Sequence, residues 1–218
     1  MKRILLSAVI ALLVSACATG TKTHTKGSVR DITTEKTVPI PFAQFWDKYV
    51  ESLSESFFVI NNISKESRII NLDFSANSPS DYIDCGDSTV ISEHPALGNQ
   101  TFRYQTADSS SYWIGIAGTN HIADITREAS LNGKINVFMA PKGDETLLRV
   151  NAKYVWSLTS RSFIRTTGGY QPSNTTSMSF SSKSPETKYL QIEGGKQQAM
   201  SCSSKGKLED RLLNLVSG

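Results

Sequence analysis

Two cysteines, three histidines and a set of loop carboxylates are the side chains of this 218-residue chain whose types could do specific chemistry. Cys85 and Cys202 lie far apart, whereas a zinc knuckle brings close-set pairs such as CxxC. Two readings of the pair stay open. One is a nucleophilic thiol. The other, which is the expectation, is a disulfide formed in an oxidising compartment, pinning the C-terminal helix to the middle of the fold. For so long a loop the entropic model gives at most ~5 kcal/mol. Asp81, Asp84 and Asp87 surround Cys85 at intervals of three. A calcium loop would alternate Asp-x-Asp-x-Asp with glycine at the sixth place, so these read as solvated carboxylates, with an acid/base pair as the alternative. His24 stands in a polar stretch, His94 precedes Pro95 and His121 begins a strand. The histidines lie far apart and show no recognisable metal-ligand spacing, so no metal site is expected. There is no GxSxG, HExxH, P-loop or GxGxxG. Gly115-Ile116-Ala117-Gly118 reads as a bend rather than a phosphate cradle. These residues imply no cofactor and no enzyme.

The third cysteine has a different setting. Lys2 and Arg3 precede an apolar run, Ile4 to Val14, and then come Ser15, Ala16 and Cys17. A spanning helix needs ~20 apolar residues, so this run is too short to cross a bilayer and reads as a signal peptide over residues 1–16. Small residues before a cysteine resemble the bacterial lipobox. The resemblance implies that the Cys17 thiol carries diacylglycerol, that the chain is cut before it, and that the new amino group is acylated. Ala18 rather than Asp follows, which by the same resemblance favours the periplasmic face of the outer membrane over inner-membrane retention. Several acyl chains anchor firmly where one chain alone binds reversibly. Residues 17–37 are small and polar and are expected to be a lipidated tether, reaching ~60–70 Å if fully extended.

Charge narrows the partners. The chain has 23 Lys and Arg against 20 Asp and Glu. Removing Lys2 and Arg3 with the leader leaves 21 against 20, a net of +1, too neutral for an electrostatic nucleic-acid binder. The 39% hydrophobic content is that of an ordinary globular domain, so residues 38–218 are expected to fold as one domain.

The elements that would position these groups are unevenly signalled. Phe42, Phe45, Trp46, Tyr49, Val50, Leu53 and Phe57 fall on one helical stripe within residues 40–57. Residues 57–60 and 68–75 read as a hairpin, and 76–88 as a loop. Leu148, Val150, Ala152, Tyr154, Trp156 and Leu158 alternate along the best strand, which pairs with residues 134–140 across the Pro141–Glu145 turn. Residues 160–186, rich in Ser, Thr and Gly, form a loop or long hairpin. Leu208, Leu212, Leu215 and Val216 mark a last helix over 205–216, with Ser203 or Ser204 as its cap.

Helix, strands and helix in that order predict an α+β fold: an antiparallel sheet with an N-terminal and a C-terminal helix packed on one face. The helix with Phe45-Trp46, followed by Phe58-Val59-Ile60 and Arg68-Ile69-Ile70, resembles the helix-grip domains of lipoprotein C of the β-barrel assembly machine. The resemblance covers residues 42–75 and the C-terminal helix and implies a fold only. Tyr112 and Trp113, after Asp108-Ser109-Ser110-Ser111, and the segment around Tyr170 put aromatics in polar loops, where they mark a binding surface. The expectation is a lipid-anchored, non-enzymatic binding or assembly module of the bacterial envelope. It would meet the membrane through its lipid and another envelope protein through these aromatics. A carrier or chaperone for an apolar ligand or an outer-membrane protein is the first alternative, and an unrecognised enzyme the second.

Overall fold

In a computed structural model, residues 19–191 and 197–216 are described; the expected signal peptide and Cys17 lie outside them. The spine of the molecule is one hairpin of unusual length, β9 (Ile122–Lys142) and β10 (Glu145–Ile164), turned by Gly143 and Asp144 with Gly143 at φ 62°. What reads in sequence as two short strands before Pro141 is thus one strand of 21 residues. Strands serve each side of the spine in succession. Beside β9 lie β4 (Ile69–Ala76), itself paired with β3 (Val59–Ser64), and then β8 (Ser110–Gly115). Beside β10 lie β2 (Glu35–Val38), β12 (Asn174–Ser181) and β11 (Gly169–Tyr170).

Two smaller sheets complete the fold. One orders β1 (Thr19–Thr25), β6 (Asp87–His94) and β7 (Gly98–Gln105). The other orders β13 (Glu186–Gln191), β14 (Gln197–Ser204) and β5 (Ile83–Asp84). The two helices are short: α1 (Phe42–Ser54) and α2 (Lys207–Leu213). The expected α+β layering is therefore corrected. Among the described residues strands make up 59% and helices, the 3-10 turn included, 12%, so this is a mostly β protein of three sheets rather than one sheet under a helical layer.

The main core fills the space between α1, α2 and one face of the spine. Phe45, Tyr49 and Leu53 of α1 and Leu208 and Leu212 of α2 meet Leu131, Ile135, Val137 and Met139 of β9 and Leu148, Val150, Tyr154 and Trp156 of β10. Trp46 and Trp156 are both buried, as the stripes predict. The Tyr49 hydroxyl donates to the Leu212 carbonyl at 3.0 Å and so joins the two helices. Where Gly133 falls on β9, the Phe74 ring of β4 occupies the place a side chain would take. A second, smaller core of Val90, Ile114 and Ala123, with Phe102, Tyr104, Tyr112 and Ile125 against it, lies between β6–β7 and the far end of the spine.

Several local expectations change. Residues 19–25 are not tether: Thr19 to Thr25 pair with β6 residue by residue. Residues 76–88 hold a 3-10 turn (Pro79–Asp81) and β5, not only loop. The 160–186 segment is largely a hairpin, since β10 runs to Ile164 and β12 returns along it. The last helix is shorter than its leucine stripe, because Lys205 and Gly206 follow a strand. Gly206 sits at φ 78°, and the Ser204 hydroxyl accepts from the Gly206 N–H rather than capping the helix.

Cys85 and Cys202 are bonded, with Cα atoms 4.2 Å apart. The bridge joins the segment after β5 to β14, where Ser203 pairs with Asp84 and Ser204 with Ile83. It therefore ties two strands of one small sheet, four residues ahead of Gly206, rather than the helix itself. Next to it Gly86 sits at φ 79° with the Thr25 carbonyl so close that no Cβ would fit.

Candidate functional site

The inward face of the spine changes character along its length. From Met139 to Leu131 on β9 and from Leu148 to Leu158 on β10 it is apolar and dry. One row beyond Leu158 it turns polar. Ser110 of β8, Arg127 of β9, Ser160 of β10 and Asn174 of β12 are directly paired neighbours and form a single row across four strands. Over this row lies a cavity of about 270 Å³ at which all three sheets meet. The large sheet contributes Arg127, Leu158, Ser160, Asn174 and Thr176. Facing it are Lys22 and His24 from β1, Ser88 from β6, and Thr106. Lys188 and Tyr189 of β13 and Gln198 and Met200 of β14 close the third side.

Arg127 is the buried charge of the site, 4% exposed. Its Nη2 donates to the Thr106 carbonyl at 2.8 Å, and its guanidinium lies 4.8 Å from the centre of the Tyr104 ring. Its Nε, buried, has no partner. His24 shares a hydrogen bond of 3.1 Å between Nδ1 and Thr106 Oγ1, while its buried Nε2 has none. Thr106 Oγ1 in turn lies 2.9 Å from the Ser88 hydroxyl. The Ser110 hydroxyl, beside Arg127 in the row, is also buried and unpartnered. Among the described residues four buried side-chain polar atoms lack a partner; two of them belong to residues that line this cavity, and a third, on Ser110, stands beside Arg127 in the row. Buried polar atoms are nearly always satisfied, so such a concentration marks a position built for something else to bond.

The electrostatics point the same way. Lys22, Arg127 and Lys188 line the cavity, and no described Asp or Glu does. His24 is held below its ordinary value first by burial and next by Lys22, with Arg127 adding to both; Asp87 works against them without prevailing. Asp87 is partly engaged elsewhere, accepting from the Gln105 amide at 2.9 Å. The Lys188 ammonium donates to the Ser177 carbonyl at 3.0 Å, a bond that leaves its charge unneutralised.

The residues singled out from the sequence fall elsewhere. Tyr112 and Trp113 are not in a loop but on β8. Tyr112 stacks on Tyr104 at 5.6 Å and packs against the smaller core. Trp113 faces the other way along its strand; its ring lies edge-on to Phe102 and its Nε1 donates to the Gln100 amide oxygen at 2.7 Å. Tyr170, on β11, is 78% exposed. The register puts two of the three in one row: Trp113 pairs with Asp124, Asp124 with Phe163, and Phe163 with Tyr170, so three aromatics share a row, interrupted by Asp124, at the far end of the spine. Phe163 and Tyr170 touch, ring centres 4.9 Å apart. Cys85 and Cys202 serve the fold, and Cys17 lies outside the described residues.

The cavity residues were missed in the sequence, apart from His24, which reads there as a solvated tether side chain. One signal was available: in Thr21-Lys22-Thr23-His24-Thr25 basic residues alternate with threonine, so a strand would put Lys22 and His24 on one face. Among the described residues no group of His, Cys, Asp or Glu is arranged to hold a metal ion, and no helix is long and apolar enough to cross a membrane. No family model, curated protein or solved structure matches the chain.

Proposed function

We propose that this chain is a lipid-anchored, non-enzymatic binding module of the bacterial envelope, held through Cys17 on the periplasmic face of the outer membrane, that captures a second envelope protein. The lipobox resemblance at Ser15-Ala16-Cys17 supports the anchor. The observation that carries the binding reading is the row Trp113, Phe163 and Tyr170. Residues remote in sequence converge on one edge of the spine, two of them with polar ends and one largely exposed. Such aromatics bury much area on binding at little conformational cost.

The start of β1 and this surface belong to the same end. β1 begins two residues after Cys17, and its first residue, Thr19, pairs with Glu93 near the β6–β7 turn. Gly20 packs against Ile114 of β8, one residue from Trp113. A lipid on Cys17 would therefore seat this end at the bilayer with no long tether, and the partner would present its surface there too.

The test is a photo-crosslinking residue placed at Tyr170 in intact envelopes. A discrete adduct with one protein is expected, lost when Trp113 is changed to Ala. Crosslinks to lipid alone, or an adduct indifferent to Trp113→Ala in a folded variant, would reject the reading. Cys17→Ser should release the protein from washed membranes.

One observation favours carriage of an apolar ligand instead. A groove of about 700 Å³ on the face of the large sheet away from the helices is lined by Phe57, Val59, Phe74 and Val155, with Lys134 and Lys153 at its side. Saturable uptake of a fluorescent fatty acid, removed by Val155→Asp, would support that reading over the first.

A further inference from the structure

We propose that the cavity where the three sheets meet is a binding site for a phosphoryl group carried by a small solute. Lys22, Arg127 and Lys188 bring three fixed cations to it from three different strands, His24 adds an imidazole, and no described carboxylate lines it. An isolated buried guanidinium is costly unless a counter-charge and hydrogen bonds meet it. Here Arg127 has a carbonyl and an aromatic ring but no described carboxylate within ion-pair distance. Its Nε and the His24 Nε2 are buried donor-capable atoms left open beside the same space.

The geometry selects among anions. The donors stand on opposing walls, Arg127 on β9 against Lys22 and His24 on β1, with Lys188 on a third side. A tetrahedral dianion accepts from several directions at once, whereas a planar carboxylate is best met by one flat fork. About 270 Å³ holds a phosphate with a few further heavy atoms and no acyl chain. The mouth lies at Lys188 and Tyr189, which are exposed. The inference is independent of the partner-capture reading, which uses the Trp113–Tyr170 row, and either can fail without the other.

The full chain, extracted from membranes in a nonionic detergent, is titrated with inorganic phosphate. Calorimetry reads the affinity, and the imidazole resonances of His24, assigned with His24→Gln, read the place. One-site saturation with Kd below about 1 mM is expected, with the His24 pKa moving up as the anion offsets its cationic neighbours. Arg127→Met should weaken binding about 10- to 100-fold, the range of one lost hydrogen bond to a charged group. Lys188→Gln, at the exposed mouth, should weaken it about tenfold by loss of one charge-assisted contact. Absence of saturation overturns the proposal, and so does saturation that leaves His24 unmoved. Should Arg127→Met fail to fold, Lys188→Gln decides alone: unchanged affinity there overturns it.

Discussion

The two halves of the β9–β10 hairpin use the same backbone and the same inside–outside alternation, yet one half is a dry core and the other walls a polar cavity. In the first half, Leu131, Ile135, Val137 and Met139 face Leu148, Val150, Tyr154 and Trp156 beneath α1 and α2. In the second, Arg127 and Ser160 stand opposite β1 and β6. The cover makes the difference. A helix can lay a stripe of large side chains, such as Phe45, Tyr49 and Leu212, into the hollow of a twisted sheet. The β1 strand instead offers Gly20, Lys22 and His24 on its inward row, two of them charged or titratable and one with no side chain at all. Space that α1 fills with rings is left open under β1. Stability resides in the first half, and room for a ligand in the second.

The largest expected effect lies in the dry half. Trp156→Ala should cost ~3–5 kcal/mol through lost burial and the cavity left behind, and it also deprives the Ala107 carbonyl of the indole N–H that donates to it at 2.8 Å. Urea unfolding measures it; an unchanged midpoint would mean that this half does not carry the fold. The next effect is polar but still within the dry half. The Tyr154 hydroxyl donates to the fully buried Glu209 at 2.9 and 3.0 Å, and burial together with that carboxylate raises the phenol's pKa. Tyr154→Phe should cost ~1–3 kcal/mol by leaving the carboxylate with only the longer bonds from the Ser204 hydroxyl, 3.4 Å, and Tyr154→Phe with Glu209→Leu should recover part of the loss. A double variant no better than the sum of the two singles would show that the pair is not coupled.

The same contrast explains what the sequence made legible. The α1 stripe, the β3–β4 hairpin and residues 147–158 of β10 were readable because one face of each is uniformly apolar, and the spare cysteine pair was readable from compartment chemistry. Beside the cavity β1 is polar on both faces, and so is β10 over residues 159–162. Lys22 and His24 alternate with threonines on β1, and Ser160 and Ser162 continue β10 past its last leucine, so the period-two hydrophobic signal disappears where the cavity begins. Residues 19–25 therefore read as tether and Tyr112-Trp113 as loop. The middle of the chain reads as strand after strand but each signal is weak, so the order helix, strands, helix points to α+β where three sheets form. That Trp113 and Tyr170 share a row, and that Arg127 and His24 line one cavity, follows from register between distant strands, which no local pattern records.

The wet half should show its character through pH. His24 is held below its ordinary value in the folded state, first by burial and then by Lys22. The unfolded chain, with an imidazole near ~6.5, then binds the proton more readily than the folded one. Stability is therefore expected to fall as pH drops through about 6.5 toward the lower folded value. His24→Gln should remove that slope, and inorganic phosphate should lessen it by favouring the charged imidazole in place. A slope in this window that survives His24→Gln would assign the titration to another group and weaken the distinction between the halves.

The smallest effect on stability is the sharpest test of the comparison. Arg127 is as buried as the core residues of the dry half, and removing a buried residue of its size from that half would be severe. If the second half is built for a ligand, Arg127 is held there at a cost, and an apolar side chain of similar length should serve the free protein as well. Exchanging buried ionic groups for apolar ones of matching volume is often neutral or stabilising. Arg127→Met keeps an apolar stem, gives up the guanidinium that lies over the Tyr104 ring, and removes the orphaned Nε. It gives up the bond to the Thr106 carbonyl, a loss of ~1–3 kcal/mol that relief from charge burial offsets. The unfolding free energy should therefore stay within about 1 kcal/mol of the parent while the response of His24 to phosphate is lost. A loss above ~3 kcal/mol, the scale of a large core truncation, would make Arg127 a structural residue like Trp156. The two halves of the hairpin would then differ in polarity alone.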